Sequence, residues 1–254
     1  MAGNSATPGV SVSARLLAVL GAFDAEHPDL SLTELARRAE VPVTTTHRLV
    51  GELVEWGALA QTPSGSYVIG RRLWDVGLLA PVPSDLREVA SPFLHDVYGA
   101  TLATVHLAVR DGTGALYLER LAGHSSVPVI SKVGARLPLH ATGVGKVLLA
   151  HAPQEVTAAV LARLTRHTPY TVMQPGRMAR QLGRIRQEGY AQTVDEMTVG
   201  ACSVAVPVRG RDDEVVAALG VVVADLRRGR DRLVTALSVA ARGIGRGLRV
   251  REHH

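Results

Sequence analysis

The stretch "LSLTELARRAEVPVTTTHRLVGELVEWG", Leu30 to Gly57, constrains the fold more than any other part of the chain. It holds two helical patterns with almost no chain between them. Ser31 followed three residues later by Glu34 is a capping box, which opens the first. Pro42 suits the first turn of the second, Leu49, Leu53 and Trp56 form its expected buried stripe, and Gly57 ends it. Upstream, Arg15 to Phe23 sets Leu16, Leu17, Leu20 and Phe23 on one helical stripe. Downstream, "ALAQTPSGSYVIG" predicts two short strands about Thr62-Pro63-Ser64-Gly65. Three helices with a tight turn between the last two, then a hairpin, make a winged helix-turn-helix over residues 11–70. Residues 1–10, small and polar, are expected to be disordered.

Such a unit reads DNA with its second helix, N-terminus first in the major groove. Thr44, Thr45, His47 and Arg48 occupy that position, and an arginine there can fork onto guanine. Ser31 and Thr33 open the preceding helix, whose positive end suits a phosphate. Arg71 and Arg72 flank the wing and can bracket the backbone. Ordinary capping competes with contact for each threonine, and an ion pair with Glu52 four residues on competes for Arg48. Net charge is +5, but the total misleads. Residues 1–85 carry six arginines against nine carboxylates, so the DNA-reading part is the acidic one and the remainder is basic. Much of the excess sits in Arg242, Arg246, Arg249 and Arg251, which reads as a solvated helix face rather than a second DNA site.

"RRLWDVGLLA" continues as a linker helix over 71–85, and Pro81 and Pro83 mark a boundary. Its stripe of Leu73, Trp74, Leu78 and Leu79 has few partners in its own domain and is expected to meet a second copy of the chain. From 86 to 254 the pattern changes to an α/β domain of sensor size. Strands are expected at "LATVHLAV", "ALYLERLA", "SVAVPV" and "VVAALGVVVA", with helices at "VGKVLLA", "RQLGRIRQEG" and from about Arg230 onward. No apolar run reaches the roughly 18 residues of a membrane span, and Met1 to Val12 lacks the layout of a signal peptide. The single cysteine, Cys202, suits a reducing cytoplasm.

"RLPLHATGVGKVLLA", Arg136 to Ala150, resembles a phosphate loop at first sight. A Walker loop needs a glycine five residues before its second glycine, and a Ser or Thr after the lysine. Counting back from Gly145 gives His140, and Val147 follows Lys146. What remains is a helix N-terminus with Thr142 as its cap and N–H groups at Gly143 and Val144, a site for an anion or carbonyl.

Three motifs in order, the helix-turn-helix with its wing, "ARLPLHATGVGKVLLA" and "GYAQTVDEMTVGACSVAVPV", resemble the IclR family of bacterial transcriptional regulators over nearly the whole chain. The resemblance implies an N-terminal winged helix-turn-helix, a linker helix and a C-terminal GAF-like α/β effector-binding domain. It implies a homodimer or dimer of dimers; each winged unit covers only a half-site, so a pseudo-palindromic double-stranded DNA operator is expected, and no cofactor, metal or membrane is expected. One position departs: Val43 stands where members often carry Lys or Arg. The resemblance also puts Gly143 and Val144 on the floor of an effector pocket, with Val129, Leu137, Thr193, Ser203, Gly220 and Val222 around it. With Gly220 enlarging a wall of Val and Leu, a larger, more apolar effector with one polar end is expected. Core packing competes for Val129 and Val222. Repression ranks ahead of activation without any residue fixing it.

The rival reading is a DNA-tethered small-molecule hydrolase built on Cys202, His140 and Asp195, the residue types of a nucleophile triad. A lone cysteine among Val and Ala is more often a small buried hydrophobe. His95, His106, His124, His140 and His151 are scattered, and no pair sits at i, i+4 beside an acid.

Overall fold

The computed structural model describes residues 11–24, 26–78, 84–123, 127, 129–227 and 229–251, and the chain divides into two compact units, residues 1–82 and 83–254. The first holds α1 (Val12–Leu20), β1 (Asp29–Leu30), α2 (Leu32–Arg38), α3 (Val43–Trp56), β2 (Leu59–Gln61), β3 (Tyr67–Ile69) and α4 (Arg71–Leu78). The strands form an antiparallel sheet in the order β1-β3-β2, so α1 to α3 with this wing make the winged unit and α4 follows it. Its core gathers Val19, Leu30, Leu35, Leu49, Leu53 and Leu59. The capping box forms: Ser31 Oγ accepts from Glu34 N, and Glu34 Oε2 accepts from Ser31 N at 2.9 Å. Gly57 closes α3 in the left-handed region at φ 85°, where a side chain would be strained.

Two stripe residues fall elsewhere. Leu17 is exposed, because the buried line of α1 runs through Leu16, Val19, Leu20 and Phe23, one position out of phase with it. Trp56 is 44% exposed rather than buried; it lies in the last turn of α3, beyond Leu53, with its ring under Arg72 of α4. The linker helix expected over 71–85 is α4, ending at Leu78. Leu79 lies outside the described residues, as does the segment 1–10.

The second unit holds α5 (Ser84–Thr101), β4 (Thr104–Asp111), β5 (Gly114–Leu121), β6 (Arg136–Pro138), α6 (Gly143–Ala150), α7 (Gln154–Leu161), α8 (Pro175–Glu188), β7 (Ala191–Val194), β8 (Cys202–Arg209), β9 (Val215–Val223) and α9 (Arg230–Arg251). Six antiparallel strands run in the order β6-β5-β4-β9-β8-β7. Alternation along the strands sends Val105, Leu107, Val204, Val206, Leu219 and Val221 to one face, where α5 and α9 cover them. Ala108, Tyr117, Ala205 and Ala218 go to the other, against α6 and α8. Ala108, Ala205 and Ala218 on this face are small, and that lets α6 lie close to the sheet. Among the described residues, no helix is long and apolar enough to cross a membrane.

Candidate functional site

The turn between α2 and α3 runs over residues 39–42, with Glu40 in the left-handed region at φ 55°. Thr46 is buried, and its hydroxyl donates to Val41 O and Pro42 O, which locks the turn to α3. The threonines on either side of it have different surroundings. Thr44, His47 and Arg48 are exposed and Thr45 is half-buried, so the N-terminal half of α3 presents one polar face. Arg48 Nη1 pairs with Glu52 at 2.5 Å. Both side chains are about half exposed, so the pair contributes about 0.2–0.5 kcal/mol and yields readily to a nucleic-acid partner.

Ser31 is occupied by its capping role: its hydroxyl also donates to Glu34 Oε2 at 2.6 Å. The Ser31 hydrogen bonds hold the Glu34 carboxyl below its ordinary range, so a carboxylate already sits on the positive end of α2. Thr33 remains exposed beside it. Arg71 is exposed, whereas Arg72 lies over the Trp56 ring at 4.7 Å and donates to Trp56 O. This cation–π contact, worth about 0.5–1 kcal/mol at an exposed site, fastens the start of α4 to the end of α3.

In the second unit, one narrow cavity of about 50 Å³ lies between the sheet and the N-terminus of α6. Val129, Leu137, Gly143, Val144, Thr193, Ser203, Gly220 and Val222, drawn from six separate segments, all line it. Thr142 caps α6 by accepting from Gly145 N at 3.1 Å, which leaves the N–H groups of Gly143 and Val144 at the helix end. Thr193 Oγ1 and Ser203 Oγ meet at 2.6 Å on β7 and β8. Among the lining residues that the sequence reading did not assign to the pocket are His106, Tyr117 and Ser131. Ser131 Oγ lies 2.7 Å from His106 Nε2, and the Tyr117 ring meets the imidazole edge-on.

Gly220 acts differently from the expectation that it enlarges the pocket. A Cβ there would stand 2.9 Å from Val144 Cγ1 and 3.1 Å from Ala205 Cβ. The missing side chain makes room for α6, not for a ligand, and the cavity is correspondingly slim. Gly143 plays the same part from the helix side, since a Cβ would fall 2.5 Å from Ser203 Oγ. The glycine run therefore brings a helix end down onto a sheet.

The wall beyond α6 is held by a buried ion pair. Lys146 Nζ donates to Glu196 Oε1 at 2.6 Å and to Gln181 Oε1 at 2.9 Å. Thr168 and Thr171 donate to the carbonyls of Asp195 and Glu196. Together they fix the segment that carries Met197 and Thr198 into the cavity wall.

Comparison with known proteins follows this geometry unit by unit. The IclR helix-turn-helix domain matches residues 13–63, and the bacterial transcriptional regulator IclR C-terminal domain matches residues 82–246. The chain belongs to the IclR family. It is 30% identical to the HTH-type transcriptional regulator XynR of Escherichia coli over 91% of this chain and 96% of that one. It is 28% identical to the HTH-type transcriptional repressor AllR of Salmonella typhi, over 91% and 86%. The structure of an IclR homolog from Microbacterium hydrocarbonoxydans, complexed with 4-hydroxybenzoate, superposes with a TM-score of 0.89 at 35% identity, over 94% of this chain and 100% of that one. As an IclR regulator the chain is a DNA-binding transcriptional regulator with a ligand-binding C-terminal domain.

Within this IclR chain the rival triad lacks its base: Asp195 lies near Cys202, but the His140 imidazole is engaged by Thr165. Cys202 packs on the α5 and α9 side of the sheet, and burial pushes its thiol up, away from the nucleophilic thiolate. His140 lies 2.8 Å from Thr165 O, and Asp195 accepts from Gly200 N. His124 lies outside the described residues. Among those described, no three His, Cys, Asp or Glu side chains are grouped to hold a metal.

Proposed function

We propose that this regulator binds a pseudo-palindromic operator as a homodimer or dimer of dimers in the bacterial cytoplasm, and that a small, flat, largely apolar metabolite in the α6 cavity changes its operator affinity. It carries out no catalytic step of its own. The observation that carries the reading is the convergence of eight residues from six segments on one cavity beneath a helix N-terminus. The related chain complexed with 4-hydroxybenzoate supports a single-ring ligand class. Val129, Leu137, Val144 and Val222 supply the apolar walls, Gly143 and Gly220 let the helix close over them, and Thr193 and Ser203 supply hydroxyls.

On the DNA side, Thr44, Thr45, His47 and Arg48 enter the major groove, while Thr33 and Arg71 meet the backbone. Ser31 acts through its cap and Arg72 through its hold on Trp56 at the end of α3. Trp74, 66% exposed on α4, supports a dimer contact along that helix. Titration of the full chain with 4-hydroxybenzoate by calorimetry tests the cavity. Val222→Phe, which costs about 1–3 kcal/mol as an overpacked core, is expected to abolish binding while the variant stays folded. Unchanged affinity in folded Val222→Phe places the ligand elsewhere.

A further inference from the structure

A second recess lies at the edge of the six-stranded sheet, where β7 is the last strand. Successive side chains of a strand point to opposite faces. Thr193 lines the α6 cavity, whereas its neighbours Gln192 and Val194 line a separate cleft of about 380 Å³ between this edge and α8. The cavity and the cleft share no lining residue. On α8, Arg177, Gln181, Arg184 and Glu188 recur at helical spacing and present one face to the cleft. Tyr170 and Tyr190 add apolar surface beside Val194.

The floor of this cleft is polar and incomplete. Lys146, Gln181 and Glu196 all line it, so their buried contact forms its inner wall. Glu196 is 6% exposed. Its Oε1 accepts from Lys146, but Oε2 has no hydrogen-bond partner among the described residues. Buried polar atoms are seldom left so, and a carboxylate oxygen is best met by a charged donor. The rim carries the opposite sign. Burial pushes the Lys146 ammonium down, and the Arg177 charge adds to that push, so this guanidinium stands close to the floor. Arg177 and Arg184 are exposed, and no carboxylate pairs with either among the described residues. Glu188 lies one turn beyond Arg184 on the same rim.

We propose that the cleft between β7 and α8 is a second small-molecule site, and that it takes an α-amino acid with an apolar side chain. The ammonium donates to Glu196 Oε2, the carboxylate accepts from the Arg177 guanidinium, and the side chain lies along Tyr170, Tyr190 and Val194. A zwitterion fits because it brings a cation to the orphaned oxygen and an anion to the unpaired arginine. It also adds no net charge to a partly buried site. A simple carboxylic acid leaves the oxygen unsatisfied, and a simple amine leaves the arginine so. The site stands independently of what the α6 cavity binds.

Calorimetry on the full chain tests this with L-phenylalanine and L-leucine. Each is set against its des-amino acid, 3-phenylpropanoate or 4-methylpentanoate, and its amine, 2-phenylethylamine or 3-methylbutylamine. The parent is expected to bind at least one amino acid, and to bind its two single-charge analogues about tenfold or more weakly, the scale of a hydrogen bond to a charged group. Arg177→Gln, at an exposed position, should weaken the amino acid by about tenfold and leave the amine within about twofold. Glu196→Gln, which keeps an acceptor for Lys146, should weaken the amino acid and the amine but not the des-amino acid. If Glu196→Gln fails to fold, Arg177→Gln decides alone. Val222→Phe, which fills the α6 cavity instead, should bind the amino acid as the parent does. Parental affinity in Arg177→Gln, or loss of binding in folded Val222→Phe, puts the amino acid outside the cleft and overturns the proposal. So does a parent that binds neither amino acid, or that binds the analogues as tightly.

Discussion

Lys146→Met removes one half of a buried ion pair, and the structure sets the scale of the loss. The Lys146 side chain is 1% exposed and that of Glu196 8%. Among the described residues, Glu196 Oε2 already has no partner, and Oε1 would lose the one donor it has there, at 2.6 Å. An uncompensated buried carboxylate costs about 3–5 kcal/mol, a large part of the roughly 5–15 kcal/mol that holds a domain folded. For a unit of this size that corresponds to a fall in Tm of roughly 6–20 °C. A buried pair of this kind adds little net stability, because the cost of desolvating both charges offsets much of their attraction. Burial pushes the Lys146 ammonium below its ordinary range, with Glu196 pulling the other way. Lys146→Met combined with Glu196→Leu, which leaves no charge behind, should therefore recover most of the loss. Urea unfolding followed by far-ultraviolet circular dichroism measures both. A single variant within about 1 kcal/mol of the parent, or a double variant no better than the single, refutes the reasoning.

Three further outcomes are expected. His106 is held neutral in the fold, at about 3 against an ordinary 6.5, so its contribution is fully present above 6.5 and is lost as pH falls from there toward 3. The charged group facing it is Arg120 on β5, with Tyr117 and Ser131 neutral, and His106→Gln should flatten the decline of the urea midpoint between pH 7 and pH 4.5. Arg48→Ala should cost about 1–3 kcal/mol in operator binding and relax preference at one base pair; equal binding of operator and random DNA by parent and variant removes α3 from the groove. Light scattering should give a dimer or tetramer at working concentration, and a monomer contradicts the contact proposed along α4.

The helix-turn-helix was legible because its signals are local. Ser31 with Glu34, Pro42 and Gly57 mark the ends of α2 and α3 by backbone chemistry that needs no tertiary partner. Stripe membership was less secure. Leu17 and Trp56 show that one helical position, or one turn, separates a buried side chain from an exposed one. The cavity was visible only in part. Its floor follows from a helix start, but His106, Tyr117 and Ser131 come together through the β4–β5 register and a loop that no spacing encodes. Gly220 shows the same limit from the other side. A glycine in a strand signals close approach, yet only the position of Val144 tells that a helix and not a ligand fills the space. Short elements such as β6 and α7 carry too few residues for a period to emerge.

The central claim is that one chain reads DNA with α3 and that occupancy of the α6 cavity alters that reading. The most direct measurement selects duplexes from a random pool with the full chain, then follows a selected duplex by fluorescence anisotropy while 4-hydroxybenzoate is added. The account predicts a pseudo-palindromic selected sequence and a shift in its Kd as the ligand saturates, a shift that Val222→Phe no longer shows. A Kd that stays constant while calorimetry shows the cavity saturated contradicts the account.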